Sequence, residues 1–460
     1  MSVARAVVLA FVFVFSVLSL VFTGISRARV DEENMFLKLP FSAHLESSTI
    51  HVDDDNTIGP WEGSEQHPYA NITSALANAQ TGNVVFVHEG TYHENIYIDK
   101  NVSVVGENRN TTVINGYYSY LGSVIYVVAD GVSITGFTIQ NNWCGIAILS
   151  TGGCRVTSNR IINCKYQGGD GQIFTTGRGI MLSGSSNVMV SGNLVDSNDR
   201  DISIENAEDS LVEDNIFVNA SAYGAVLEGS RGITMKNNII KHNVYEGIYL
   251  AGSYNNTLVG NTVTHNGDEG IYLGGSENNT LLENTVSQNP GEGIWLDWSS
   301  GNRVIGNNLT NNGKRGIFVW YSNRTQVYHN RIFDNSWEQG FSNFATVWDD
   351  GYPSGGNFWG DYNGTDFDRG IYQNETGSDG IGDTPYLIAE SNLDRYPLVI
   401  FRGDINGDYS IDIYDAIILA TAFGSDSGGP RWNRRADINI DNTVDIYDAL
   451  ILAGNFGRTI

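Results

Sequence analysis

The sequence predicts an all-β fold, a parallel β-solenoid, followed by a small C-terminal α-helical calcium-binding module. Three observations predict it. A Gly-apolar-x-apolar phrase recurs every 22 or 23 residues, from Gly179 to Gly316, with Asp201 in one Gly position. Columns of Asn keep the same step, and two acidic loops of one pattern lie in 403–457. Self-similarity at a fixed period is the mark of a repeat architecture.

Each repeat unit favours strands over helices. It holds short alternating apolar segments, such as Ile248-x-Leu250, separated by Gly, Asn and Ser. Alternation is typical of a strand with one buried face. A unit of about 23 residues cannot close a core alone, so stacking must bury the inward side chains. We expect each column Asn to adopt the left-handed backbone and to hydrogen-bond to the same Asn one coil away.

The register extends towards the N-terminus. Residues 71–79 read as a short helix that caps the open end, which would otherwise pair with another chain. An extra eleven residues or so between Asn159 and Asn193 place a bulged loop at 165–177. The three Cys, at positions 144, 154 and 164, leave two options open: one bridge plus one thiol, or three buried thiols.

The first 29 residues read as an export segment. Arg5 precedes an apolar run from Ala6 to Phe22. Its length leaves a cleaved signal peptide and a retained N-terminal anchor both open. Either one places the rest of the chain outside the cytoplasm, secreted or at the cell surface, and ten Asn-x-Ser/Thr sequons agree.

The charge composition excludes some classes of binding partner. The chain has 26 basic and 52 acidic residues, a net charge of −26. Nucleic acids and anionic membranes would repel such a protein, so we expect no nucleic-acid partner. With 41% hydrophobic residues the chain can build a large core, and we expect a monomer.

The repeat resembles that of the NosD-like family. The resemblance rests on the Asn/Gly coils, the entry segment 50–68, and a closing signature in 356–397 that includes Asn357-Phe-Trp-Gly-Asp-Tyr362. It implies a right-handed β-helix of the pectin-lyase-like fold over 48–345, with a C-terminal cap segment at 346–400. Relatives of this kind include copper-delivery accessory proteins and carbohydrate-binding or sugar-hydrolysing proteins. Only His242 and His265, 23 residues apart, would stack as metal-ligand candidates.

Two C-terminal loops have the oxygen spacing that Ca²⁺ prefers, at positions 1, 3, 5, 7, 9 and 12. They start at Asp404 and Asp437, and each leads into an apolar helix, predicted over 416–423 and 449–456. Position 6 is Tyr409 in one loop and Asn442 in the other, and Tyr disfavours a left-handed backbone. The predicted ligands of the two Ca²⁺ sites are Asp404, Asn406, Asp408, Ser410, Asp412, Asp415, Asp437, Asn439, Asp441, Thr443, Asp445 and Asp448.

With no helix before each loop, residues 403–460 resemble a type I dockerin. The resemblance implies Ca²⁺-dependent folding and docking onto a cohesin-like module. Loop positions 10 and 11 usually help to choose the partner, and both loops carry Ile-Tyr there, Ile413-Tyr414 and Ile446-Tyr447. Identical pairs suggest that either half can face the partner.

One outward column of the coils is aromatic, and the column beside it is acidic. Aromatic rings cover the apolar faces of pyranoses, and acids accept hydrogen bonds from hydroxyls. The candidate carbohydrate-binding residues are Tyr249, Tyr272, Trp295, Trp298, Phe318 and Trp320. The alternative is an aromatic ladder that only supports the sheet.

Catalysis stays open. Glycoside hydrolysis needs two carboxylates at a defined separation, and Glu269, Glu292 and Asp297 are the candidates. Stacked like charges about 4.8 Å apart repel, so we do not expect three Glu in a row to be there for stability. The motifs Gly-His-Gly, Arg-Ile-Lys and Asp-Pro-His-Asp, typical of other β-helix enzymes, are absent.

The leading hypothesis is a secreted or cell-surface β-helix that binds a polysaccharide or glycan, with cleavage by a hydrolase or lyase activity left open. A calcium-dependent module docks it onto a scaffold. The alternatives are a non-catalytic structural or adhesive protein and a NosD-like periplasmic copper accessory protein.

Overall fold

The computed structural model describes residues 49–118, 122–165, 177–377, 379–389, 392–399, 403–406, 410–433, 435–438 and 441–457. It confirms the parallel β-helix, because each coil adds one strand to each of three long parallel sheets. The predicted export segment and most of the bulged loop at 165–177 lie outside these residues. Within the described part of the chain, no helix is long and apolar enough to cross a membrane.

From Val84–Val87 to Gly340–Ser342 the chain passes through the three sheets in the order A, B, C. Sheet A comprises Thr49–Val52, Val84–Val87, Ser103–Gly106, Ser133–Thr135, Arg155–Thr157, Met189–Ser191, Leu211–Glu213, Thr234–Lys236, Thr257–Val259, Thr280–Leu282, Arg303–Ile305 and Gln326–Tyr328. Sheet B comprises Gly90–Tyr92, Thr112–Asn115, Thr138–Gln140, Arg160–Ile162, Leu194–Asp196, Ile216–Val218, Ile239–Lys241, Thr262–Thr264, Thr285–Ser287, Asn308–Thr310, Arg331–Phe333 and Phe358–Trp359. Sheet C comprises Ile96–Ile98, Ser123–Val127, Cys144–Leu149, Arg178–Ser183, Arg200–Glu205, Ala225–Glu228, Ile248–Ala251, Ile271–Gly274, Ile294–Asp297, Ile317–Trp320 and Gly340–Ser342. Three short antiparallel pairs follow or lie in the C-terminal part: Asp368–Arg369 with Glu375–Thr376, Tyr386–Ala389 with Asn392–Asp394, and Ser425–Asp426 with Thr443–Val444.

The two ends of the solenoid core are covered. Helix α1 (Ile72–Asn78) lies at the N-terminal end, as expected, and Asn71 caps it by accepting the Ser74 N–H at 2.8 Å. At the other end, Trp348 and Trp359 are each 1% exposed, with ring centroids 5.6 Å apart. Covering both ends leaves no open coil on which another chain could add strands.

The core is a continuous stack of aliphatic side chains. In sheet C, Ile271 lies in register with Ile294, and Leu273 with Leu296, and all four are fully buried. Burying a side chain of this size stabilises a protein by about 1.5–3 kcal/mol. Because each coil repeats the same inward positions, the alternating sequence pattern becomes a single uninterrupted core.

Buried Asn residues form a hydrogen-bonded ladder at the corner between sheets A and B. The Asn261 backbone N–H and its Nδ2 both donate to Asn284 Oδ1 at 2.9 Å, and Nδ2 also donates to the Met235 carbonyl. The ladder contains Asn159, Asn193, Asn215, Asn238, Asn261, Asn284, Asn307, Asn330 and Asn357. It ends on the buried carboxylate of Asp394, which accepts the Asn357 N–H at 2.7 Å.

The predicted hydrogen bonding between column Asn residues is confirmed, but the predicted backbone was wrong by one position. The left-handed residue is the one that precedes each ladder Asn, for example Asn237 with φ +53° before Asn238. This places the ladder Asn side chain inward, where its amide replaces water for buried carbonyls. His242 and His265 occupy such left-handed positions before Asn243 and Asn266.

The other two corners have ladders of their own. Between sheets B and C, Asn243, Asn266, Asn289, Asn312 and Asn335 are linked in the same way. Between sheets C and A, the ladders are formed by Ser230, Ser253, Ser276, Ser299 and Ser322 and by Asn256, Asn279 and Asn302. The amides and hydroxyls of these ladders therefore satisfy one another and neighbouring backbone groups inside the coil stack.

The three cysteines are buried free thiols, which settles the choice left open by the sequence. Burial raises the pKa of Cys144 to about 12. These thiols pack as small apolar side chains rather than as a bridge.

One coil carries two compensating departures from the repeat. Asp201 occupies the Gly position, and Ala220 occupies the Asn position of the corner between sheets B and C. In a regular coil a Cβ on Gly247 would lie 2.4 Å from Val263 Cγ1, 2.7 Å from Asn266 Nδ2 and 2.8 Å from the Gly270 carbonyl oxygen, so the Asn amide is one of three groups that crowd the Gly position. With Ala at 220 that amide is absent, and the buried Asp201 carboxyl accepts the Asn198 Nδ2 hydrogen at 2.9 Å.

The C-terminal residues contain two helices, α2 (Ile413–Ala422) and α3 (Ile446–Asn455). Both begin three residues before the predicted starts at 416 and 449. Asp412 and Asp445 cap them, each in a capping box that the sequence analysis had assigned only to metal binding. As expected, both helices end before a Gly, Gly424 and Gly457, with φ of +73° and +85°.

Restoring the consensus at 201 and 220 tests this compensation. We expect Asp201→Gly or Ala220→Asn alone to lower the free energy of unfolding by about 1–3 kcal/mol, because the first removes one of the two acceptors of Asn198 Nδ2 and the second crowds Asp201. The double variant restores a regular rung and should equal or exceed the wild type in thermal stability. Differential scanning calorimetry of the four proteins measures the coupling, and purely additive losses would contradict the compensation.

Candidate functional site

The predicted aromatic column forms a continuous ladder on the outer face of sheet C. Neighbouring rings lie close: Tyr249 to Tyr272 at 5.3 Å, Tyr272 to Trp295 at 5.1 Å, and Trp295 to Phe318 at 5.5 Å between centroids. The strand register aligns them residue by residue. All four are half-buried, so each shows only part of its ring to solvent.

Trp298 and Trp320, the other two candidate aromatic residues, lie at and beside the corner between sheets C and A. Trp298 is 64% exposed and stacks on Tyr321, with centroids 4.6 Å apart and planes 10° apart. Trp320 is half-buried and meets Tyr321 edge to face. The aromatic surface therefore has two rows: the ladder on sheet C and an exposed row at the corner.

Sequence reasoning missed three members of this surface. Phe341 continues the ladder from Phe318 at 5.7 Å, and Phe344 continues the corner row from Tyr321 at 5.6 Å. The third member is Tyr321, which the sequence analysis did not assign to the surface. The step of 23 residues would have found all of them, since 298, 321 and 344, like 318 and 341, are one step apart.

The two Glu residues of the acidic column that are catalytic candidates are buried. Glu269 and Glu292 are each 3% exposed. Lys314 Nζ lies 3.5 Å from Glu269 Oε1 and 3.1 Å from Glu292 Oε2, and Arg315 Nη1 lies 3.3 Å from Glu292 Oε1. Two cations from the next coil therefore offset the repulsion, which explains how stacked acids are tolerated.

Burial gives Glu269 an unusual protonation. Desolvation, the nearby Asp268 charge and the contact with Glu292 raise the pKa of Glu269 to about 8. Near neutral pH this carboxyl keeps its proton while its neighbour Glu292 is ion-paired. A protonated and an ion-paired carboxyl side by side is the arrangement of an acid–base pair, but both side chains are closed to substrate as described.

Asp297, the third catalytic candidate, faces a different partner. Its Oδ2 accepts the Tyr272 hydroxyl hydrogen at 3.0 Å, and the carboxylate is half-buried. The structure thus ties Asp297 to the aromatic ladder and leaves Glu269 and Glu292 in the ion-pair network.

Each C-terminal loop is closed by its last acid. The Asp415 carboxylate accepts the N–H groups of Ile405 at 2.6 Å and Asn406 at 2.9 Å, and Asp448 accepts the Ile438 N–H at 2.7 Å. Asp415 and Asp448 are fully buried, and Asp404 and Asp437 are 6% exposed.

The second loop has the backbone that its sequence predicted. Asp437 accepts the N–H groups of Asp441 and Asn442 at 3.0 and 2.9 Å, and Asn442 has φ +68°. Asp408, Tyr409 and Asn439 lie outside the described residues. Within the described ones, no group of three or more His, Cys, Asp or Glu side chains is arranged to hold a metal ion.

Comparisons with known families agree with both parts of the chain. Residues 167–364 match the family described as periplasmic copper-binding protein (NosD), and residues 55–226 match a protein family of unknown function, DUF1565. Residues 402–456 match the dockerin type I domain. The chain is a parallel β-helix with a region similar to NosD and a C-terminal dockerin-like module. Type I dockerins bind calcium, and Asp404, Asp415, Asp437 and Asp448 in the two loops are buried acids.

More distant similarity supports the fold alone. A cell surface glycoprotein of Methanothermus fervidus is 31% identical over 102 residues, which are 22% of this chain and 17% of that protein. The chain thus matches about a sixth of the length of this curated relative. The A-module of the mannuronan C-5 epimerase AlgE4 of Azotobacter vinelandii has a TM-score of 0.50 at 13% identity, covering 67% of this chain and 93% of that one.

Other polar clusters of the described residues have structural partners. His242 and His265 have ring centroids 5.2 Å apart, as their spacing predicted. The acids of the cap segment accept backbone hydrogens: Asp366 from Asp379 and Gly380, and Asp383 from Phe367 and Asp368. A pair missed in the sequence is His51 and His88, whose Nδ1 and Nε2 atoms lie 3.2 Å apart.

The raised pKa of Glu269 predicts a pH-dependent stability difference. Its ordinary pKa is 4.5 and its folded value is about 8, so the folded state binds this proton more tightly. The stabilisation of the folded state by this proton is complete below pH 4.5 and is lost as pH rises through 8. The Tm of Glu269→Gln relative to that of the wild type should therefore rise by roughly 2 °C or more between pH 5 and pH 9.

Thermal unfolding at several pH values measures this difference. Glu277→Gln is the control, because Glu277 is an exposed acid of the same coil. If the Glu269 variant instead loses stability relative to the wild type as pH rises, the ion pair with Lys314 outweighs desolvation and the assignment is wrong.

Proposed function

We propose that this protein binds a polysaccharide or glycan at the cell surface through the aromatic face of its β-helix, and is held there by its dockerin-like module. The observation that carries the proposal is the aromatic surface. Five rings from Tyr249 to Phe341 line sheet C, and an exposed row beside them includes Trp298 and Tyr321. Aromatic side chains combine an apolar face with ordered geometry, which suits flat pyranose rings.

The burial of the candidate catalytic acids favours binding of the glycan without cleavage. Hydrolysis needs two carboxylates that both reach the glycosidic bond. The side chains of Glu269 and Glu292 are 5% and 4% exposed, and both are engaged with Lys314. Asp297 alone is more open, and one carboxylate does not make a hydrolytic pair.

Two matches support an extracellular location. The dockerin type I match implies a cohesin-like partner, and the similar segment of the Methanothermus fervidus protein comes from a cell surface glycoprotein. We propose that residues 403–460 form this docking module, that the β-helix spans 48–345 with its cap at 346–400, and that the protein is monomeric before docking.

Matched apolar residues on the two C-terminal helices support docking by either half. Tyr414 and Tyr447 are each 63% exposed, and Ile413 and Ile446 are 42% and 38% exposed. Exposed aromatic and aliphatic side chains in a small module are typical of an interaction surface. Calcium bound by the two loops would hold both helices in place.

A copper accessory role is the second candidate, favoured by the match to the copper-binding NosD family. The exposed pair His242 and His265 would be its ligands. Copper titration of the metal-free protein discriminates the two functions.

The glycan proposal predicts a loss of binding when the ladder is truncated. Tyr272→Ala combined with Trp295→Ala should weaken binding to a retained polysaccharide by about tenfold or more, because two stacking rings are removed. Affinity gel electrophoresis against a polysaccharide panel measures it. Tyr126→Ala is the control, a half-buried ring at the same column position towards the other end of sheet C. Equal binding by the double variant and the wild type would contradict the proposal.

The docking proposal predicts redundancy between the halves. Ile413→Ala with Tyr414→Ala, or Ile446→Ala with Tyr447→Ala, should each cost about twofold in cohesin affinity, since one of two equivalent faces is lost. All four changes together should abolish docking, and so should removal of calcium by chelation. Calorimetry with a cohesin module measures both. Full loss from one pair alone would show that only that half docks, contrary to the proposal.

A further inference from the structure

The corner between sheets C and A changes character abruptly at one coil. Its left-handed position holds Gly229, Gly252 and Gly275 in three successive coils, with φ between +55° and +59°. The next two coils hold Trp298 and Tyr321 there, with φ of +50° and +45°. Equivalent backbone hydrogen bonds align the positions, from Gly275 N–H to the Asp297 carbonyl and from Trp298 N–H to the Trp320 carbonyl.

Large aromatic residues are costly at this position. A left-handed backbone crowds Cβ, which is why Gly and Asn usually occupy it. Strained residues that persist on a surface point to a role other than folding. Tyr321 has neighbours on both sides, whereas Trp298 stacks on Tyr321 alone and is 64% exposed.

The free face of Trp298 borders an open shelf. Coils are about 4.8 Å apart, and Trp298 and Tyr321 stack at 4.6 Å, so the stacking direction follows the solenoid axis. The opposite face of the indole is therefore turned towards the coil of Gly275. A Cβ added at Gly275 or at Gly252 would meet nothing within 4 Å, so two coils of floor are open beside the tryptophan.

Hydrogen-bonding groups border the same shelf. Asp297 directly precedes Trp298, and its carboxylate accepts the Tyr272 hydroxyl hydrogen at 3.0 Å. A carboxylate has about four acceptor sites, so it retains capacity for ligand hydroxyls. A flat apolar wall, a glycine floor and an adjacent carboxylate together match one face and one edge of a pyranose ring.

We propose that this shelf, formed by Gly252, Gly275, Asp297 and Trp298, is a sugar subsite in which a pyranose of an uncharged polysaccharide stacks on Trp298. The subsite rests on the proposed glycan function and narrows its ligand class. The net charge of −26 and the carboxylate of Asp297 both disfavour polyanionic chains. The floor continues over two coils, about 10 Å, so the bound chain follows the solenoid axis from Trp298 towards Gly252.

Two opposite substitutions test the subsite. Trp298→Gly removes the wall and installs the residue of the preceding coils, so Tm should stay within roughly 3 °C while affinity falls about tenfold or more. Gly275→Trp extends the aromatic row over the floor and should cause a similar loss by filling the shelf. Trp61→Ala is the control, a tryptophan that is 51% exposed near the N-terminal end.

The measurement is affinity gel electrophoresis of the full chain against a β-glucan, a mannan, a xylan and a galactan, with alginate and polygalacturonate as charged comparators. Losses with both shelf variants but not with Trp61→Ala are the expected result. Unchanged affinity in Trp298→Gly, or stronger binding by Gly275→Trp, overturns the subsite and leaves the glycan function standing. Binding of the wild type to the charged comparators alone overturns the ligand class, and no binding to any of the six overturns the glycan function itself.

Discussion

The hydrogen bonds between equivalent Asn side chains are the interaction on which this structure depends. Each corner of a coil turns the chain sharply and leaves backbone groups without strand partners. The ladder amides satisfy them inside the stack: Asn284 Nδ2 donates both to Asn307 Oδ1 and to the Leu258 carbonyl, each at 2.9 Å. Because the amide also fixes where the next coil lies, one side chain sets both the corner and the register. The three sheets, the aliphatic core and the outer columns all follow from that register.

The repeat is interrupted in two different ways. Asp201 stands where the other coils have Gly, and Ala220 stands where they have Asn. Together these two residues preserve the corner, so this change concerns structure. Trp298 stands where the three preceding coils have Gly. No residue of the core compensates for this change, which alters only the surface. A regular scaffold makes this distinction possible, because neighbouring coils serve as internal references for each position. The shelf is a departure of the second kind, whereas the aromatic ladder follows the repeat itself.

Much of the fold could be predicted from the sequence, because a fixed step of 23 residues specifies neighbours directly. It placed the aromatic ladder and the pairing of His242 with His265, and a separate repeat of 33 residues placed the two C-terminal loops. It did not predict the burial of Glu269 and Glu292, since that depends on the long side chains of Lys314 and Arg315 reaching across coils. It misplaced the left-handed residue by one, because Asn favours that backbone and the preceding residues vary in type. The open shelf beside Trp298 could be recognised only in the three-dimensional structure, because a surface left open by glycines gives no distinct pattern in the sequence.

Amide hydrogen exchange at the ladder tests the central claim most directly. The N–H groups of Asn238, Asn261 and Asn284 each donate to the next ladder side chain and are buried from solvent. If the ladder holds the coils together, these corner amides exchange as slowly as the core strand amides and only through unfolding of the solenoid. Exchange at the rate of unprotected turn amides, with sheet amides still protected, would contradict the account.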